Sequence, residues 1–399
     1  MATTFKTFMN NDVVSTRTLL HEAIPITGTI ASGTYGAWQA EENVRNFSHG
    51  MFQSIYDYPY LSSSANHIFD ITFGYHSSSV MNKTATTTTA ADGIYGGAAS
   101  TQNNKKINIY NQMAQVLVGY DTTGSILQFD RDGDFSAGGL KLNECFFLSF
   151  SRLLSKDEIK KGSFSLEMGV TQAFDHGDEE FAETWTLKDT GAENDYRVNS
   201  PAGEYGILYL ANSIGTPLED SHTTSTSLPG GLIYYQAGVV VITASAFVDN
   251  GIGTGTGTGS LEGGDLRWLT DTDANSSYLW SNLTASNIQN LADGFRNRIN
   301  NISFNNTTEL NSSIYFCRAN HNEFNYSSNP TYLSGSKIFV KENTLDTPVS
   351  YITTIGLYSA DSELLAAAKL SEPLKKDPNT ELTLRVRLDY CLLYTSDAA

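Results

Sequence analysis

The run Leu382-Thr-Leu-Arg-Val-Arg-Leu388 changes from apolar to polar at every step, with Leu382, Leu384, Val386 and Leu388 on one side and Thr383, Arg385, Arg387 and Asp389 on the other. Only a strand with one dry face uses such a pattern, because successive side chains of a strand point to opposite sides. The same period recurs in Phe164, Leu166, Met168 and Val170, and again from Ile68 to Phe73. Composition agrees: charged residues are only 17% of the chain, while 21 Tyr and 20 Phe supply apolar bulk and Ser, Thr, Asn and Gly fill the polar positions. That mixture favours strands and turns over long helices. The expected class is mainly β with a few helices, built as β-sandwich-like domains with an amphipathic helix preceding a C-terminal β unit.

Further strands are expected at Ile24–Ile30, Ser125–Phe129, Cys145–Leu154, Ile314–Ala319, Lys337–Val340, Tyr351–Tyr358 and Leu364–Leu370. The apolar segment Gly231–Phe247 reads as a buried hairpin turning at Gln236-Ala237-Gly238. Two helices stand out. In the first, Ile107, Tyr110, Met113, Ala114, Val116, Leu117 and Tyr120 share a face; in the second, Ile288, Leu291, Ala292, Phe295 and Ile299 do, with Ser286 able to cap it. A short helical turn is predicted after Ser155, which with Glu158 has capping-box spacing, and Gly162 ends it.

At 399 residues, two domains are expected. The first spans 1–250 and carries a small-residue loop insertion at 82–104; a Gly/Thr-rich linker follows at 251–264, and a helix plus C-terminal β domain at 265–390. The last nine residues, 391–399, break the pattern of the strand before them and resemble translated adapter sequence, so they are set aside as a non-native tail. No repeat of solenoid or propeller period occurs.

Twenty-five basic against 43 acidic residues give a net charge of −18, which repels phosphate backbones and argues against a nucleic-acid partner. Three cysteines, Cys145, Cys317 and Cys391, form neither a CxxC pair nor an even framework, so buried thiols are expected. The opening residues have no charged-then-apolar leader, and no apolar stretch reaches the roughly 18 residues of a membrane helix, which points to folding in a cytoplasm without membrane insertion.

Catalytic chemistry is sparse. The seven histidines are scattered singly, there is no HExxH and no GxSxG, and Ser64, His67 and Asp70 lie too close together for a triad to be argued from spacing. Asp130, Asp132 and Asp134 fall at the first, third and fifth positions of a calcium loop, yet the sixth is Phe135 where such loops have Gly and the twelfth is Lys141 where they have Glu. An EF-hand is excluded; a looser calcium turn remains, beside the plain reading of an acidic β-turn. The second acidic cluster, Asp175 to Glu183, reads as a solvated loop. No other cofactor is implied.

Two stretches carry a resemblance. Tyr351-Ile-Thr-Thr-Ile-Gly-Leu-Tyr358, with Leu364-Leu-Ala-Ala-Ala-Lys-Leu370 after a short turn, resembles a hairpin of tail, tail-fibre and baseplate-associated proteins of tailed bacteriophages. Asn143–Phe164, together with Thr18–Pro25 and Ser48–Ser54, is similar to virion structural proteins of large contractile-tailed phages of marine cyanobacteria and related hosts. The resemblance covers most of 11–390, although the turn at Ser359–Glu363 lacks the usual Gly. It implies a virion component of the tail, baseplate or neck, folded in the host cytoplasm and partnered by other virion proteins and by further copies of itself; it carries no catalytic residues. The interface expected first is the terminal β unit, with Tyr351, Ile355, Leu357, Tyr358, Leu382, Leu384, Val386 and Leu388. Tyr56, Tyr58 and Tyr60 motivate an alternative, an adhesin for a host-surface glycan. A particle-borne polysaccharide hydrolase is the third possibility, with no carboxylate pair selected by spacing.

Overall fold

The computed structural model of the protein describes residues 5–32, 42–78, 101–135, 138–139, 141–169, 184–212, 228–244, 287–296, 298–327, 333–334, 337–338, 345 and 347–390. The expected linker at 251–264, the acidic loop at 175–183, Ser286 and the tail at 391–399 lie outside them. The protein is mostly β, with four helices among the described residues. The chain divides into two compact units, one of Met1–Leu20 with Glu309–Ala399 and one of His21–Thr308. The boundary falls inside two long strands, β1 (Val13–Thr27) and β13 (Ile299–Ala319).

The larger unit, 21–308, is an antiparallel sheet. Its path runs from β13 through β7 (Ser165–Gly169), β8 (Thr184–Lys188), β10 (Gly203–Asn212), β11 (Leu228–Tyr234), β12 (Val239–Thr243), β5 (Glu144–Phe150), β4 (His67–Tyr75) and β3 (Gln53–Tyr56) to β2 (Val44–Asn46). Two short strands flank it, β6 (Glu158–Ile159) on β13 and β9 (Arg197–Ser200) on β10. The central strands are buried on both faces, as their unbroken apolar runs require. Along β5, Phe146, Leu148 and Phe150 enter one core while Cys145 and Phe147 enter another. The first core also holds Leu166, Met168, Leu187, Ile302 and Phe304 from strands far along the path, and Phe150 meets Phe304 with ring centroids 5.0 Å apart. The sheet therefore closes over itself in a sandwich-like way within this unit.

Helix α2 (Thr101–Leu117) covers the second core with Ile109, Tyr110, Ala114 and Leu117. It starts inside the expected loop 82–104, and most of its expected face meets the cores: Tyr110, Ala114 and Leu117 are buried and Ile107 and Met113 pack against them, whereas Val116 is exposed, Tyr120 lies past the helix end, and Ile109 is buried in addition. It lies close on β4 because Gly74 has no Cβ, which would stand 2.7 Å from Lys106 O and Tyr110 N. Helix α4 (Ile288–Arg296) packs Leu291, Ala292 and Phe295 on the first core, Phe295 stacking on Phe146 at 4.7 Å. Asn287 Oδ1 accepts from Asn290 N at 2.7 Å at its start, and Ile299, expected on this helix, already belongs to β13.

The hairpin β11–β12 forms as expected, Tyr234 opposite Val239 and Gly238 at φ +65° in the turn. The turn after Ser155 does not. Helix α3 (Arg152–Ser155) ends there, Lys156 turns through φ 54°, and Glu158–Ile159 become β6, because Ile159 is fully buried and its N–H donates to Tyr235 O. The strand expected through Leu154 accordingly stops at Phe150, and Ser125–Phe129 contributes only an isolated bridge, Tyr120 to Ile126. Helix α1 (Gly28–Ser32) completes this unit.

The smaller unit holds β18 (Leu382–Tyr390) paired with the second half of β13, a ribbon of β16 (Ser350–Tyr358) and β17 (Leu364–Lys376), and the short pair β14 (Leu333–Ser334) and β15 (Lys337–Ile338). Its fixed points are polar. Asp12 pairs with Arg318 at 2.6 Å, Lys6 with Glu323 and Arg17 with Glu309, and fully buried Lys376 donates to Asn325 Oδ1 at 2.7 Å and Asp377 O at 2.9 Å.

Candidate functional site

The three aspartates of the acidic turn converge, each offering a carboxylate oxygen within 4.8 Å of the others. Backbone geometry follows the calcium-loop pattern further than the residue types do: Phe135, at the sixth position, adopts φ 56°, the left-handed conformation usually reserved for Gly. Its ring stacks on Tyr205 at 5.0 Å, which holds the strained backbone in place. The twelfth position decides the chemistry. Lys141 forms an antiparallel bridge with Asp130 and places its ammonium on the Asp130 carboxylate. Asp130 is fully buried while Asp132 and Asp134 are exposed. Burial raises the pKa of Asp130, against the pull of Lys141. An ammonium of the chain itself thus stands at the carboxylate where a loop ligand to calcium is expected.

The other polar clusters are arranged to satisfy each other. Asp70 accepts from Ser54 Oγ and lies 2.9 Å from His67 Nε2, so the carboxylate sits between hydroxyl and imidazole; an activated serine needs the imidazole in the middle. Buried Asp189 accepts from Gly162 N at 2.7 Å, Phe164 N at 2.9 Å and Tyr235 OH at 3.1 Å. Burial raises its pKa and that of Tyr235, and these bonds are what make the buried carboxyl tolerable. Beside it Lys161 pairs with Glu204 at 2.5 Å and lies 4.9 Å from the Tyr196 ring centre. In the aromatic segment Tyr56 faces Tyr60 and His67, while Tyr58 is 51% exposed and Leu61 more so.

The terminal β residues are separated by the fold into two pairings. Leu382, Leu384, Val386 and Leu388 alternate on β18 opposite β13, and only Val386 is buried. Tyr351, Ile355, Leu357 and Tyr358 lie on β16; of these four only Leu357 is buried, Tyr351 is 56% exposed and the Tyr358 ring meets that of Phe5 at a tilt, with centroids 4.7 Å apart. Exposed Leu364 and Leu365 open β17.

Searches against protein-family models, curated proteins and solved structures found no match to this chain.

The geometry therefore speaks alone, and two features of it went unread in the sequence. Lys141 registers there only as a missing Glu, although a basic residue eleven places after a buried Asp signals an internal counter-ion as readily as a failed metal ligand. The smaller unit's poverty of core has a plainer signal: β16 contains no charged residue, yet most of its side chains face solvent. Among the described residues, buried apolar side chains belong to the larger unit with four exceptions, Ala319, Val349, Leu357 and Val386.

Proposed function

We propose that the chain is a structural subunit of a tailed-phage particle, acting in the tail, baseplate or neck through contacts made by its smaller unit. One observation carries this: that unit exposes Phe5, Phe8, Met9, Leu19, Leu20, Tyr351, Leu364 and Leu365 while burying almost no apolar side chain of its own. A soluble monomer rarely leaves such a surface open, and subunit interfaces are where aromatic and aliphatic surface becomes useful. The resemblance of Tyr351–Leu370 and Asn143–Phe164 to virion proteins supports the same reading. So does the state of the polar clusters, whose carboxylates are engaged by Lys141, His67, Tyr235 and backbone N–H groups. Mass spectrometry of purified particles tests it: peptides of the chain are expected at a level stoichiometric with known particle proteins, and their absence sinks the proposal.

Exposed Tyr58, Tyr60 and Leu61 favour a second reading, a surface that stacks on a host glycan. A glycan array probed with folded protein is expected to light up if that holds, and a blank array removes it.

A further inference from the structure

The ribbon of β16 and β17 is a physical problem as it stands. Two antiparallel strands alone are marginal in water, and three or more with a shared apolar face are needed for independent stability. Among the described residues β16 pairs with β17 only and β17 with β16 only. The two outer edges differ. On β17 the register jumps from Leu374 opposite Ile352 to Lys369 opposite Thr354, so residues 370–373 bulge out with Glu372 and Pro373 among them. Proline lacks the N–H that a further strand would use, and Lys369 and Lys375 flank the bulge, so this edge carries the usual protections against pairing. On β16 there are none. Ser350–Tyr358 has no charge and no proline, and it is rich in the β-branched and aromatic residues that pair well across strands.

Charge selects the occupant. The smaller unit has 10 basic and 12 acidic residues, a net of −2, whereas the larger has 15 and 31, a net of −16; together these make the chain's −18. Two copies repel through their larger units and meet without penalty through their smaller ones. The strand is also matched to itself. Turned about Thr354, it sets Tyr351 opposite Leu357, Ile352 opposite Gly356 and Thr353 opposite Ile355, with no charge facing a like charge.

We propose that two copies of the chain join edge to edge along β16, antiparallel about a two-fold axis through Thr354, making one four-stranded sheet from two ribbons. An isologous pairing of this kind closes on itself and does not propagate. The inference rests on the assembly reading and names the partner that reading leaves open.

Sedimentation of the purified full chain tests it. The wild type is expected to be a dimer at micromolar concentration. Thr354 is exposed, so Thr354→Lys and Thr354→Asp should each keep the far-ultraviolet circular dichroism and melting of the larger unit while losing the dimer, because each puts like charges face to face. An equimolar mixture of the two variants should recover a heterodimer. A monomeric wild type, a dimer that survives Thr354→Lys, or a mixture that stays monomeric overturns the pairing. The two proposals fail separately. A chain abundant in particles but monomeric in solution sinks only the pairing, while a Thr354-dependent dimer absent from particles sinks only the particle reading.

Discussion

Phe146 and Leu365 both sit in apolar stretches of a strand, and their surroundings are opposite. Phe146 is fully buried, with Phe73 at 4.9 Å and Phe295 at 4.7 Å, and its strand has a paired neighbour on each side. Leu365 is 68% exposed on a ribbon of two strands. The larger unit spends its apolar residues on its own core, whereas the smaller one holds itself with ion pairs and buried polar groups such as Lys376 and leaves apolar residues outside. The buried apolar core thus resides in one unit, while the other leaves much of its apolar surface open. The same chemical deletion should be felt very differently in each.

The largest effect is expected from Phe146→Ala. Removing a packed core ring typically costs about 3–5 kcal/mol, which should appear as a large fall in the denaturant midpoint of the main unfolding transition. A loss no larger than that of a surface substitution would break the comparison at its stronger end.

Lys141→Met comes next. It leaves the buried Asp130 carboxylate without its partner, and breaking a buried pair in this way costs roughly 3 kcal/mol or more. Because Asp130, Asp132 and Asp134 keep their oxygens within 4.8 Å of one another, millimolar calcium should restore part of the lost melting temperature in the variant and leave the wild type unchanged. A variant that melts like the wild type would mean that the pair contributes nothing.

Titration sharpens the picture of the core under α2. Burial lowers the pKa of fully enclosed Lys106 from 10.5 to about 8. Between those values the unfolded chain holds a proton that the folded chain has lost, so stability is greatest above 10.5 and falls as pH drops through 8. The full difference is on the order of 3 kcal/mol. Tyr75 and Tyr205 act in the opposite sense, because burial raises both to about 12 and their contribution is lost as pH climbs beyond 10. Burial also raises the thiols of Cys145 and Cys317, whose contribution is lost as pH climbs beyond 9. Stability should therefore rise between pH 8 and 9, and Lys106→Met should flatten that rise. An unchanged slope in the variant would assign it to another group.

The sequence carried part of this structure and concealed the rest for physical reasons. The hairpin β11–β12 and the strand β18 were legible, since alternation and a turn glycine are local signals. Most of the α2 face is legible in the same way, but the close approach of the helix to β4 over Gly74 rests on backbone contact, which hydrophobic periodicity does not record. Ser155 looked like a cap because Glu158 follows at the right spacing, but the N–H of Ile159 is claimed by Tyr235, 76 residues away in the chain. Long-range polar partners were invisible for the same reason. Arg296, fully buried, donates to Gln53 Oε1 at 3.1 Å and to Asp293 at 3.0 Å, and no motif joins residues so far apart as 53 and 296. The acidic turn was visible as three aspartates; that Lys141 answers them required the bridge that places it there.

The smallest effect on folding should come from Leu365→Ser. An exposed leucine has little packing to lose, and surface substitutions away from special features usually stay within about 0.5 kcal/mol. The melting temperature of the isolated chain should hardly move. Solubility and self-association, by contrast, should change, because the substitution removes apolar area from the unit that lacks a core of its own. Leu365→Ser combined with Leu364→Ser strengthens the contrast; Leu364 lies opposite Tyr358, but every residue of β16 and its outer edge stay in place, so the two-copy pairing should persist while looser aggregation declines. If the pair of substitutions instead unfolds the smaller unit, as seen by loss of protection of β18 amides against hydrogen exchange, then these leucines are core residues of that unit and the division between a unit with a core and a unit without one does not hold.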